Sequence, residues 1–427
     1  MQNYAEAVEF LFSRHKLGIK PGLETIRLLL ERLGNPQEKF KSVLIAGTNG
    51  KGSTAATLHS LLEESGYRAG LYTSPHLLDF RERVRVNREM ISEEDALRGI
   101  EVVRAHASGL DPTFFEYMTA LAFLHFARQG VEVAVVEVGL GGRWDATNIL
   151  HPELSLITSI ALDHAKFLGT TLKEVAREKV EIVKEKGTLL TYSQEEEVLE
   201  IFKNFCKERG AEFEEISRDF DAQVISMNLT GSVFDLSFNN NRMDGIKIPL
   251  AGSHQVKNAT LALAAALKLR ERGFSKITEE SLREGAEKTR WPGRLQTVSV
   301  APKVVLDGAH NPDAARVLVH ELQELFEFSR LVWVVGILKD KDVSLIINEL
   351  SKIPGETLAV ELPSDRSEEP ETITKLFQER GRTAQAIPRI GEALDEAKRR
   401  AGKDGLVCVT GSLFAVAAAL RALEIKV

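Results

Sequence analysis

The residues best placed to do chemistry lie between Val43 and Thr54, VLIAGTNGKGST. A short apolar run enters a glycine-rich turn, Gly47, Thr48, Asn49, Gly50, and the residues after Lys51, Gly52, Ser53 and Thr54 repeat at helical spacing. The order is strand, phosphate-sized loop, helix start. Loop N–H groups converge inward and the helix N-terminus adds partial positive charge, so a polyphosphate suits the stretch. Lys51 would meet the terminal phosphates, and Ser53 or Thr54 would hold Mg2+. The pattern is a shortened relative of the Walker motif, lacking its leading glycine and placing Gly52 between the lysine and Ser53.

Other polar groups gather where strands should end: Ser74, Glu137, Asp163 and His164. Glu137 lies near the close of the apolar run Val131–Val138, where an unpaired carboxylate is costly and needs a cation or strong donors. Capping the glycine-rich turn that follows is the plainer alternative. His164 is either a core histidine satisfied by Asp163 or a metal ligand. Lys179 falls on the stripe Leu172, Val175, Ala176, Lys179, Val183. Such a lysine either buries its stem and lifts its ammonium into water, or aims at the nucleotide. Further on, Asn311 as N-cap with Pro312 at the first helical position puts Asp307 and His310 at a strand end. Val409–Ser412 ends another strand in a small polar turn.

These groups need a scaffold. Helices are expected at 4–17 and 23–33, then strand 43–46. The helix after the loop puts Ala55, Leu58, Leu61 and Leu62 on one side and stops at Gly66. Strand Ala69–Tyr72 follows, then Phe80–Val86, whose arginines alternate as on one strand face. Helices near 93–107 and 114–129 precede the central run Val131–Val138 and strand 154–160. Thr171 and Glu174 have capping-box spacing at the head of a helix from 172 to 186. Residues 211–250 look β-like, a small antiparallel addition to the first domain, and Asn258–Arg272 is helical. Past Trp291–Arg294 come strand 303–306, helix 312–327 and strands 331–335 and 406–410. The alternation predicts an α/β protein with a doubly wound, mostly parallel sheet carrying the phosphate loop in domain 1–290. A linker at 291–301 leads to a smaller Rossmann-like α/β domain, 302–427. Open α/β sheets bind ligands at strand carboxyl ends, so a nucleotide is expected in the interdomain cleft.

Composition bounds the function. A chain of 427 residues with 43% hydrophobic and 27% charged residues fits a soluble protein of two or three domains. The net charge of −7 argues against nucleic acid or an anionic membrane as partner. Two cysteines, Cys206 and Cys408, build neither a disulfide framework nor a zinc site. The acidic, periodic N-terminus is not a signal peptide, and no apolar run approaches the roughly 20 residues of a membrane helix. A cytoplasmic location is expected.

Taken together, GTNGKGS (47–53), YTSPHL (72–77), RERVRV (81–86), FFE (114–116), EVGLGGRWDATN (137–148), SIALDH (159–164), REK (177–179), PGR (292–294), DGAHNP (307–312) and TGS (410–412) resemble the folylpolyglutamate synthase/dihydrofolate synthase family of the Mur ligase superfamily. The matches run in order over most of the chain, shortened phosphate loop included. The resemblance implies an ATP-dependent amide ligase: a folate carboxyl is phosphorylated to an acyl phosphate, which the amine of L-glutamate displaces. It implies Mg2+, with Ser53 on one ion and Ser74, Glu137 and His164 on a second; Mn2+ is a candidate because of the nitrogen ligand. Lys179 matches a lysine carbamylated in the family, although Val180-Glu181 replaces the usual Ala-Gly after it. Asn258, Arg294, Asp307 and His310 match positions that contact ATP or close the domains over it. Ser412, Arg83 and His310 are the candidates for incoming glutamate. Thr113, Phe115, Asp145 and Ala146 match the pterin pocket of bifunctional members.

The expected function is therefore a bifunctional ligase, by resemblance a monomer, acting on dihydropteroate or folate, L-glutamate and ATP. The alternatives are polyglutamylation alone, a Mur-type ligase of a nucleotide-linked peptidoglycan precursor, and a nucleotide-binding regulatory protein without ligase chemistry. The Mur-type reading lacks the extra N-terminal domain a UDP-sugar would need. The regulatory reading does not account for Lys51, Glu137, His164 and Lys179 occurring together.

Overall fold

Strands buried on both faces build the first sheet. In Lys41–Ala46 (β1), Val43 and Ile45 enter one apolar layer while Leu44 and Ala46 enter the other, as a two-residue period requires. Ala69–Tyr72 (β2), Val84–Val86 (β3), Glu89–Met90 (β4), Val133–Glu137 (β5), Leu154–Ile157 (β6), Thr188–Thr191 (β7) and Glu212–Glu215 (β8) complete eight strands in the order β4-β3-β2-β5-β1-β6-β7-β8. Pairing is parallel except at β2–β3 and β3–β4. This computed structural model describes residues 3–18 and 20–426; Met1, Gln2, Ile19 and Val427, which the expected domain spans include, lie outside the described residues.

Helices cover both faces, so the sheet is doubly wound. Helix Phe114–Arg128 packs on one face. Lys51–Glu64 and Ser253–Glu271 pack on the other. The helix after the phosphate loop is buried all round from Gly52 to Leu62 rather than along one stripe. Its outer side is covered by Glu279–Glu287, where a Cβ on Gly285 would lie 2.6 Å from Leu61 Cα. Strands Phe220–Asn228 (β9), Gly231–Phe238 (β10) and Asn241–Ile248 (β11) form the expected antiparallel addition. Phe234, Leu236, Met243 and Ile246 bury into the layer around Ser253–Glu271.

Three expectations change. Arg81 and Arg83 do not share a strand face: Phe80–Arg83 is a 3-10 turn, because Asp79 and Glu82 form a capping box that coils the chain before β3 begins. The helix carrying Lys179 spans Leu172–Val180, not 172–186. Beyond it, Ile182 and Val183 donate to carbonyls three residues back, a tightening turn that leads to β7. Within the segment expected as linker, Gln296–Val300 (β12) pairs antiparallel with Lys303–Leu306 (β13).

The second sheet adds Leu331–Val335 (β14), Glu356–Ala359 (β15), Ala384–Ala386 (β16) and Leu406–Thr410 (β17) in the order β12-β13-β17-β14-β15-β16. Apart from β12 it is parallel, with an apolar layer on each face. No helix among the described residues is long and apolar enough to cross a membrane.

Candidate active site

The carboxyl ends of β1, β2, β5 and β6 meet the start of the second domain. Gly47 leaves β1 at φ 144°, and a Cβ there would lie 1.8 Å from Thr158 Oγ1, so the turn admits only glycine. Gly50 then caps helix Lys51–Glu64 without a side-chain acceptor, leaving the first-turn N–H groups for a ligand. The Lys51 ammonium lies back over the loop and donates to Thr48 O at 3.1 Å. Burial pushes its pKa down, against the carboxylates of Glu137 and Asp163. Ser53 and Thr54 are both buried, and the Thr54 hydroxyl has no partner among the described residues.

Glu137 ends β5 and is 4% exposed. It accepts the Ser74 N–H at 3.1 Å. Burial raises its pKa, with Lys51 foremost among the cations that oppose this. Ser74, Glu137, Gly52, Trp291 and Arg294 line one cavity. The Trp291 ring covers Gly52, and its buried Nε1–H has no acceptor among the described residues. Burial depresses the Arg294 pKa, opposed by Asp307 and Glu137. Unpartnered donors and a buried carboxylate around a glycine-rich helix start fit a nucleotide polyphosphate with a hard cation.

Of the cation's expected ligands, Ser74 and Glu137 line that cavity, whereas His164 is engaged elsewhere. His164, held at φ 53°, sits with Nε2 3.3 Å from the Lys341 ammonium. Burial brings this imidazole to about 4, so it is neutral. Among the described residues no three His, Cys, Asp or Glu side chains gather as a metal cluster. Serine hydroxyls with one carboxylate suit Mg2+ better than a transition metal.

Asp163, which the sequence places at a strand end, forms a hub with Lys341, which the sequence does not single out. Lys341 Nζ pairs with Asp163 Oδ1 at 2.6 Å, both side chains nearly buried. His310 Nε2 lies 3.4 Å from Asp163 Oδ2, and Asn311 donates to the same oxygen. Burial would raise the Asp163 pKa, but His310 and the Lys341 ammonium outweigh it and hold the group far below the carboxylate range. Asn49 of the phosphate loop meets Asn311 and Asp313, so the loop itself touches the second domain.

Lys179 is buried and donates to Gly47 O at 2.7 Å, which rules out the water-reaching alternative. Burial and the Lys51 charge lower its pKa to about 7. Asn258 lies beside Gly50 and donates to Gln255. Asp307 accepts from Leu295 N and Ala309 N, and His310 Nδ1 contacts Gly308 O, so both shape the turn after β13. Ser412 caps helix Leu413–Ala422. Arg83 Nε donates to His76 Nδ1; among the described residues it makes no hydrogen bond to His310 or Ser412.

The pterin candidates gather around the loop that leaves the carboxyl end of β5 after Glu137. Thr113 and Glu116 form the capping box of helix Phe114–Arg128. Phe115 covers Gly139 and tilts toward Tyr72, centroids 6.0 Å apart. Asp145 is buried, which raises its pKa. Its carboxylate accepts from Leu140 N, Thr147 N and the Thr147 hydroxyl and so sets the loop's shape. Ala146 opens the short turn Ala146–Ile149.

A family model for the Mur ligase middle domain matches residues 45–266, and one for the Mur ligase glutamate ligase domain matches 293–413. The dihydrofolate synthase/folylpolyglutamate synthase of Bacillus subtilis is 39% identical over 360 residues, 82% of this chain and 83% of that protein. The chain belongs to the folylpolyglutamate synthase/dihydrofolate synthase family. As a member it is an ATP-dependent ligase of the Mur ligase fold. The structure of E. coli FolC in complex with DHPP and ADP matches at a TM-score of 0.90 and 30% identity, covering 99% of this chain and 98% of that one. This family member spans 50% of the length of the probable bifunctional folylpolyglutamate synthase/dihydropteroate synthase of Haloferax volcanii, to which it is 36% identical. The signal for Asp163 was its place at a strand end beside His164. Lys341 carried none, since nothing periodic links it to the phosphate loop.

Proposed function

We propose that this chain joins the amine of L-glutamate to a carboxylate of dihydropteroate or folate, with both dihydrofolate synthase and folylpolyglutamate synthase activity. The observation that carries the reading is Lys51 at a glycine-rich helix start, electrostatically coupled to the buried Glu137 at the mouth of a second domain. Lys51 and the loop N–H groups stabilise charge as the γ-phosphoryl passes to the substrate carboxylate. The glutamate amine then attacks the acyl carbon, loses a proton and releases phosphate. Bound Mg2+ supplies positive charge to the phosphoryl oxygens. Ser53 would hold one ion, and Ser74 and Glu137 a second, with His164 joining once freed from Lys341; that nitrogen ligand keeps Mn2+ in play.

Asn258, Arg294 and Asp307 are assigned to ATP, and Arg83, His310 and Ser412 to glutamate. Thr113, Phe115, Asp145 and Ala146 are assigned to the pterin. Lys179 is assigned as a carbamate: its neutral amine attacks the carbon of CO2, the N–C bond forming as one C=O π pair moves onto oxygen, and the nitrogen loses a proton to solvent. Domains at 1–290 and 302–427, a monomer and a cytoplasmic location complete the reading. The test is ADP release with ATP, Mg2+ and L-glutamate, offering dihydropteroate and tetrahydrofolate separately and weighing the products for an added glutamate. Turnover of both is expected. Turnover of tetrahydrofolate alone leaves polyglutamylation as the sole function, and turnover of neither overturns the substrate assignment.

A further inference from the structure

Arg83 is 7% exposed, yet among the described residues its side chain makes one hydrogen bond and no ion pair. The carboxylates whose charge reaches it are Glu82 and Glu137. Glu82 is occupied by the N–H groups of Leu77, Leu78 and Asp79, and Glu137 by that of Ser74. A buried guanidinium without a carboxylate is costly and marks a seat for an anion. Its orientation is fixed from two sides. Nε donates to His76 Nδ1 at 2.9 Å, and the guanidinium lies over the Phe114 ring, 5.1 Å from its centroid. Arginine only donates, so His76 Nδ1 carries the lone pair and the ring proton is assigned to Nε2. Phe12 stands edge-on to His76 with centroids 6.1 Å apart, and His15 stacks on Phe114 at 3.8 Å. With Nε taken, the two terminal amines of Arg83 remain for side-by-side contact with a carboxylate.

We propose that His76 is a positioning residue, a neutral acceptor that turns Arg83 so that its free edge receives a substrate carboxylate. This rests on the ligase reading, in which both L-glutamate and the folate acceptor bring carboxylates, and kinetics distinguish the two sources. Full-length His76→Ala, His76→Asn, Arg83→Ala and the His76→Ala/Arg83→Ala double variant are assayed for KM of ATP, L-glutamate and tetrahydrofolate. His76→Ala raises KM for one carboxylate substrate about tenfold, the scale of one hydrogen bond to a charged group. KM for ATP and kcat stay within about twofold, and the affected substrate identifies the carboxylate. His76→Asn, whose side-chain oxygen can accept from Nε, recovers most of the loss, and the double variant is no worse than Arg83→Ala. Should His76→Ala not fold, His76→Phe set against His76→Asn makes the same comparison. Unchanged KM values, a loss confined to kcat, a shift shared with ATP, or effects that multiply in the double variant overturn the proposal. A wild-type chain that turns over no substrate overturns the ligase reading and this proposal together; active wild type with unmoved His76 variants overturns this proposal alone.

Discussion

Glu137 costs stability where it stands, since burial disfavours its charged form and Ser74 supplies a single N–H. A divalent cation relieves that cost, which separates a metal ligand from a turn cap. Glu137→Gln removes a buried charge, so with chelator present its thermal midpoint should equal or exceed that of wild type. Mg2+ should raise the wild-type midpoint and leave the variant unmoved, while product formation falls about 100-fold or more. A midpoint that drops in chelator would instead make the carboxylate a structural cap. Lys179 makes a second case. Only a neutral amine attacks CO2, and a lysine brought to about 7 by burial is largely neutral at pH 8 and largely charged at pH 6. Activity should therefore fall in CO2-free buffer and return with bicarbonate, more strongly at pH 8 than at pH 6. Lys179→Ala should be weakly active and indifferent to bicarbonate. Equal indifference in wild type would remove the carbamate. Both side chains were legible in the sequence, because a charge on an apolar run or stripe is visible without coordinates.

Elements were legible wherever periodicity decided them and misread where capping chemistry did. The alternating arginines of 81–85 resemble a strand, but Asp79 and Glu82 satisfy the first N–H groups of a 3-10 turn and win locally. The stripe through Val183 suggested a longer helix, yet Val183 reaches the core from the turn after Val180. That early stop matters, because it brings the carbonyls of Glu178 and Lys179 against the loop that follows β5. A Cβ on Gly142 would lie 2.7 Å from Glu178 O and 2.9 Å from Lys179 O, and the Arg143 N–H donates to Glu178 O. Gly142→Ala must push the loop from the helix, costing ~1–3 kcal/mol. Because Lys179 and Asp145 sit on the displaced elements, turnover with dihydropteroate should fall beyond what the lost stability explains. Urea unfolding and initial rates on the same preparation check both; wild-type values in each would show that the approach is not tight.

At the scale of the molecule, domain contact decides whether a site exists, and no pattern in the chain announces which residues meet across it. Asp163 with Lys341 holds the domains near the phosphate loop. Glu321, on helix Pro312–Leu325, holds them at the start of helix Ser253–Glu271. Glu321 is 2% exposed and accepts Ser253 N at 2.8 Å and Ser253 Oγ at 2.6 Å, with His254 Nδ1 3.4 Å away. Burial works to raise its pKa, but His254 and Ser253 outweigh it and bring the group to about 2, below its ordinary 4.5. A carboxylate depressed by folding stabilises the native state above its unfolded pKa and loses that contribution as pH falls through the folded one. The contribution should be full above about pH 5, on the order of 3 kcal/mol, and fade between about 4.5 and 2. Glu321→Gln should therefore lower unfolding free energy at pH 6 by about that amount, with the gap narrowing as the medium is acidified through that window. Denaturant titrations of both proteins from pH 6 to pH 3 read the gap directly. A gap that is absent at pH 6, or constant down to pH 3, would show that the Glu321 charge does not hold the domains together.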